Sequence, residues 1–121
     1  MAASPHFARI KSEVLACVRA IPAGQVCEAG AIGDLLAVPA RHVSYILATL
    51  DPLEADLAPW WRVVNREGAL SKANAARLDD QIDRLRQEGV GVMGGRIADF
   101  ASVRHVPARP DGALGRRPEG V

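Results

Sequence analysis

A mainly α-helical single domain with a small β wing or hairpin is the fold class this sequence predicts, on three observations. Apolar residues recur at three- and four-residue steps in four separate segments, the mark of amphipathic helices. The first three segments are joined by short turns, the last two most tightly, as in a helix-turn-helix unit. A β-prone stretch around Arg62-Val63-Val64 follows, and later a Gly94-Gly95 pair sits between apolar runs. Together these read as a winged helix-turn-helix-like domain over residues 4–103, with a Pro/Gly/Arg tail over 104–121 expected to be disordered.

Each element has its own local reason. Ser4-Pro5 offers a capping hydroxyl and then a proline where its missing N–H costs nothing. Phe7, Ile10, Val14, Cys17, Val18 and Ile21 then share one helical face, until Pro22 and Gly24 stop it. Glu28 to Ala37 reads as a short second helix with Ile32, Leu35 and Leu36 inward, weakened by Gly30 and Gly33. Pro39 starts a third, whose buried side is Val43, Ile46, Leu47 and Leu50. Asp51 to Pro59, rich in acid and proline, reads as a loop. Trp61 to Leu70 is β-prone with a turn at Glu67-Gly68, and is the candidate wing. Asn74 is placed to cap a fourth helix from Ala75 to Glu88, with Leu78, Ile82 and Leu85 on one side and Arg and Asp on the other. Gly89 ends it. Val90 to Phe100 reads as a hairpin.

Composition limits the function classes. At 121 residues the chain can bury a core without disulfides or metal. Fifteen basic residues stand against fourteen acidic ones, so any nucleic-acid binding needs a local patch. Cys17 and Cys27 fit no metal-ligand spacing and no disulfide framework, and no metal or cofactor is expected. Cys17 lies on the apolar stripe of the first helix, as a core thiol would. No apolar run approaches the length of a membrane span, and no basic-then-apolar leader opens the chain. The expectation is a cytoplasmic monomer without membrane contact.

The chemistry-bearing segment is Pro59-Trp60-Trp61-Arg62-Val63-Val64, which holds both tryptophans of a chain with two Trp, two Phe and one Tyr. It resembles the signature Pro-Cys-His-Arg-Val of the O(6)-alkylguanine-DNA alkyltransferase family, with Trp60 in the place of the reactive cysteine and Trp61 in that of the histidine. Ile21-Pro22-Ala23-Gly24-Gln25-Val26 is similar to the turn after the family's first DNA-binding-domain helix. Ala40-Arg41-His42-Val43 is similar to the start of its recognition helix, Asn65-Arg66-Glu67-Gly68 to its base-pocket loop, and Glu88-Gly89 to its C-terminal Glu-Gly. The matches keep their order across residues 7–100. The group they resemble most is the alkyltransferase-like proteins, in which tryptophan replaces the cysteine.

The resemblance implies roles. Arg41 would be the finger that enters the minor groove and fills the gap left by an extruded nucleotide, with His42, Ser44 and Tyr45 as further DNA contacts. Trp60, Val63, Asn65, Gly68 and Ser71 would form the lesion pocket, where an aromatic face meets the flipped base. Such stacking is worth roughly 1–3 kcal/mol per base, comparable with the cost of extrusion. An indole has no ionisable thiol and cannot accept an alkyl group by displacement. The implied activity is therefore recognition of O(6)-alkylguanine in double-stranded DNA without alkyl transfer, signalled to nucleotide excision repair proteins.

Beside it stand plainer readings. Arg41 as a solvated charge at a helix start and Trp60 as core would leave a winged-helix module for undamaged DNA or a protein partner. Adjacent side chains of an extended strand point to opposite faces, so one tryptophan is expected in the core and the other at a surface. Arg62 is expected to tie the block to nearby carbonyls. Glu88, which supports the histidine in the family, is left with no more than a helix end. Arg9, Lys11, Arg66, Lys72 and the tail arginines are candidates for phosphate attraction. Cys27 as a displaced nucleophile is disfavoured by the adjacent Glu28, which raises a thiol's pKa, although His42 could lie near it in space. The chain also departs from the family pattern: Ala29 stands at a usual tyrosine, Ser44 and Tyr45 at usual glycines, and Asp51 at a usual asparagine hinge.

Overall fold

The computed structural model describes residues 5–72 and 75–108. The Ser4 and Asn74 caps and most of the tail, residues 109–121, lie outside the described residues. The chain runs α1 (Pro5–Arg19), β1 (Cys27–Glu28), α2 (Ala29–Leu36), α3 (Ala40–Ala48), α4 (Pro52–Leu57), β2 (Val63–Val64), α5 (Ala75–Gln87), β3 (Val92–Met93), β4 (Arg96–Ile97) and α6 (Phe100–Val103). Two 3₁₀ turns, Trp60–Arg62 and Arg66–Gly68, flank β2. The mainly helical architecture with small sheets is the one the periodicity predicts. Among the described residues, no helix is long and apolar enough to cross a membrane.

α1, α2 and α3 pack their predicted apolar faces into one core, with Val14, Val18, Ile32, Val43 and Ile46 essentially inaccessible. The turn between α2 and α3 is tight for a specific reason. Ala37 takes a left-handed conformation (φ 62°) and Val38 N–H donates to Gly33 O at 2.9 Å. A Cβ on Gly33 would lie 2.5 Å from the Val38 carbonyl oxygen, so glycine alone allows this approach. The glycine that weakens α2 as a helix thus makes the turn possible.

Two segments differ from expectation. The Asp51–Pro59 loop contains α4. Asp51 accepts from Glu54 N–H at 2.8 Å while Glu54 accepts from Asp51 N–H at 3.1 Å, a reciprocal capping box with Pro52 in the first turn. The candidate wing at Trp61–Leu70 is strand only at Val63–Val64. It pairs in parallel with β1, Cys27 opposite Val63 and Glu28 opposite Val64. Left-handed backbone at Glu67 (φ 56°) and Gly68 (φ 85°) then reverses the chain.

The expected hairpin is present as antiparallel β3–β4, with Gly94 and Gly95 at its turn. It is shorter than predicted, because Phe100 opens α6. Val26, Val64, Leu70, Leu85, Val90, Val92 and Ile97 form a second core around α5 and the hairpin, and Trp61 packs against both cores. The packed domain also runs past residue 103. Val26 N–H donates to Val103 O (2.9 Å) and His105 N–H to Val26 O (2.7 Å).

Candidate nucleic-acid interface

α3 carries Arg41, Ser44, Tyr45 and Ala48 at i, i+3, i+4 and i+7, a single stripe that faces away from the core. Beneath that stripe lies a recess of about 510 Å³, closed on its far side by Trp60, Val63, Val64, Asn65 and Ser71 and by Arg77, Leu78 and Gln81 of α5. Its size falls within the roughly 300–1,000 Å³ typical of small-ligand clefts. A second recess of about 590 Å³ opens beside the start of α2 and shares Arg41, Ser44 and Asn65 with the first. Arg41 and Tyr45 are exposed on this face, Tyr45 at 60%.

The structure brings most of the predicted site residues together. Arg41, Ser44, Tyr45, Trp60, Val63, Asn65 and Ser71 all line the first recess. Two predicted residues do not. His42 is exposed but one position off the stripe, so helical geometry turns it away from the recess. Gly68 is buried on the opposite side, where a Cβ would meet Ile97 and Phe100 at 3.2 Å. It shapes the loop and is not part of the lining.

The tryptophan pair is arranged differently from a strand. The 3₁₀ turn sets the two rings 6.0 Å apart and nearly perpendicular, at 87°. Trp60 is only 8% exposed, so it is a core residue and a wall of the recess at once. Nor is its face bare: the Arg77 guanidinium stacks on it, 4.1 Å from the ring centroid, and donates through Nη2 to Leu47 O at 2.8 Å. Burial lowers the pKa of Arg77, yet an arginine stays charged at any ordinary pH. Arg84 lies 4.7 Å from the Trp61 ring centroid.

Glu88 is more than a helix end. Its carboxylate accepts from Trp61 Nε1 at 3.0 Å and from Arg62 Nε at 3.0 Å, while Arg62 Nη1 reaches Ile21 O at 2.8 Å. Gly24 N–H adds a longer contact of 3.4 Å. Burial alone would raise the Glu88 pKa, but hydrogen bonds from Arg62, Trp61 and the Gly24 N–H outweigh it and hold the carboxyl below its usual range. Gln81, the buried polar residue of α5, donates to Trp61 O and Val63 O at 3.1 Å each. The Trp61 indole thus engages the Glu88 carboxylate directly. Arg77, Gln81, Arg84 and Glu88 follow one another at i, i+4, i+7 and i+11, a polar stripe whose members, Glu88 apart, the sequence analysis did not single out.

Other charged candidates are placed apart. Lys11 is paired with Glu54 at 2.9 Å. Arg66 lines the second recess. The Cys27 thiol is fully buried; burial, then Cys17 and Glu28, push it up to about 12.

A helix-turn-helix whose second helix overhangs a recess walled by an indole has the architecture found in DNA-binding domains. Residues 9–90 match the model of the 6-O-methylguanine DNA methyltransferase DNA-binding domain. A DNA base-flipping protein of Vibrio parahaemolyticus is 36% identical over 89 residues, covering 71% of this chain and 86% of that one. Alkyltransferase-like protein 1 of Schizosaccharomyces pombe is 33% identical over 92 residues, 74% of this chain and 83% of its own length. The crystal structure of S. pombe Atl1 in complex with damaged DNA containing O6-carboxymethylguanine superposes with a TM-score of 0.72 at 30% identity, covering 81% of this chain and 95% of that one. The chain belongs to the 6-O-methylguanine DNA methyltransferase DNA-binding family and is an alkyltransferase-like protein.

Proposed function

We propose that this protein is a non-enzymatic sensor of O(6)-alkylguanine in duplex DNA. α3 docks in the minor groove, Arg41 fills the space of the extruded nucleotide, and the lesion enters the recess whose floor is the Trp60–Arg77 stack. The observation that carries this reading is the recess itself, open directly under the exposed stripe of α3 and of a size to hold a base. An alkylated guanine pairs poorly, so extruding it costs less than extruding guanine, and selectivity begins before any pocket contact. The relatives named for base flipping and the complex of S. pombe Atl1 with damaged DNA support the same reading.

Repair by transfer has no acceptor in this site. Trp60 offers no thiol, and the Cys27 thiol is buried and held protonated. Removal of the lesion then falls to another system, for which nucleotide excision repair is the proposed recipient. The test is a binding titration against duplexes with guanine or O(6)-methylguanine, with wild type and Arg41→Ala. The wild type should favour the lesion and the variant should lose most of that margin while keeping its fold. Equal affinity of the wild type for both duplexes would end the sensor reading and leave a helix-turn-helix module for undamaged DNA.

A further inference from the structure

The recess has an aromatic ring on each of two walls, and the two are not equally available. Trp60, on the far side, is 8% exposed. The Arg77 guanidinium lies over it, 4.1 Å from the ring centroid, and Trp61 meets it nearly at right angles, 6.0 Å away. So little exposed area leaves a base no face to stack on. Tyr45, on the α3 side, is the opposite case. It lines the same recess, is 60% exposed, and among the described residues no ring or cation stacks on it. Its backbone is held in place: Val43, Ile46 and Leu47 sink the other face of α3 into the core, and Tyr45 O accepts from Thr49 N–H at 3.1 Å and from Thr49 Oγ1 at 2.8 Å. A tyrosine on such a helix has two side-chain torsions to order, so it offers a large contact area at small entropic cost.

From this contrast we infer that Tyr45, and not Trp60, supplies the stacking face for the extruded base, covering it from the α3 side while Trp60 and Arg77 form the floor. The inference rests on the sensor reading and adds to it the residue that retains the base. Arg41, one turn earlier on the same stripe, fills the gap in the duplex; Tyr45 acts on the base that has left it. Every base has a π-face, so this contact holds the base whatever its O(6) arm. Lesion selectivity stays with the cost of extrusion and with the rest of the recess.

The experiment uses the full chain and three duplexes, carrying guanine, O(6)-methylguanine or an abasic site, which keeps the backbone and the gap but has no base to stack. Tyr45→Ala should bind the methylguanine duplex about tenfold more weakly than the wild type, the scale of one base–aromatic stack, and the abasic duplex within about twofold of it. Tyr45→Phe, which keeps the ring and drops the hydroxyl, should restore most of the loss. The Tyr45 side chain is exposed and outside the core, so both variants should keep the wild-type circular dichroism and urea midpoint. A Tyr45→Ala variant that binds methylguanine as tightly as the wild type overturns the inference alone. So does one that loses as much on the abasic duplex, which would make Tyr45 a contact to the groove or backbone, and so does a Tyr45→Phe variant as weak as Tyr45→Ala. A wild type that fails to separate methylguanine from guanine overturns the sensor reading, and the inference with it.

Discussion

Replacing Glu88 by glutamine removes one charge from the point where three segments meet and leaves its shape. In the wild type the carboxylate takes donors from Trp61 Nε1, from Arg62 Nε and Nη2, and from Gly24 N–H. The Glu88 and Arg62 side chains are each 15% exposed, so the pair is largely removed from solvent. Stripping one partner from a fully buried pair costs roughly 3–5 kcal/mol; the residual exposure and the oxygen that glutamine retains bring the expectation for Glu88→Gln to about 2–3 kcal/mol. In a domain of this size that is a fall in Tm of about 10 °C. Urea denaturation followed by circular dichroism measures it. The pH dependence gives a second, sharper readout. Glu88 has a folded pKa below its unfolded value, so its stabilisation is complete above the unfolded value of about 4.3 and is lost as pH falls through the folded one. The gap between wild type and Glu88→Gln should therefore be widest near neutral pH and close in acid. A gap under about 0.5 kcal/mol at neutral pH, the usual size of an inert surface change, would refute the reasoning. So would a gap that stays constant into acid.

Two further predictions rest on packing and on burial. Gly33→Ala forces a methyl against the Val38 carbonyl oxygen at 2.5 Å and should destabilise the helix-turn-helix by about 1–3 kcal/mol, as overpacking does, read as a lower urea midpoint; an unchanged midpoint would show that the turn has slack. With its thiol pushed up to about 12, Cys27 should resist iodoacetamide at pH 8 in the folded protein and react in urea, and intact-mass spectrometry after incubation with O(6)-methylguanine DNA should show no added methyl. A methylated protein would restore the transferase reading.

The helices were legible because their stripes are local. Val14, Val18, Ile32, Val43 and Ile46 announce themselves by spacing and are the core. α4 was legible too but was passed over: Asp51-Pro52-Leu53-Glu54 is a capping box with proline in the first turn, hidden by the habit of reading acid and proline as loop. The partner of Val63–Val64 was not legible, since a parallel pairing with Cys27–Glu28 joins segments distant in sequence and leaves no periodic trace. Of the residues that line the recess, the motifs singled out Arg41, Trp60, Asn65 and Ser71. They missed Arg77 and Gln81, whose polar side chains look solvated until the fold lays α5 across the tryptophans. The only hint was their spacing, a polar row parallel to Leu78, Ile82 and Leu85.

Both indoles and the lone tyrosine of this chain sit at one place, Trp60 and Tyr45 on the recess wall and Trp61 immediately behind it. Its intrinsic ultraviolet emission consequently originates entirely from that neighbourhood, with no distant chromophore to dilute the signal. A nucleobase arriving there should quench or shift the whole spectrum, so the molecule carries its own optical reporter of occupancy and needs no dye.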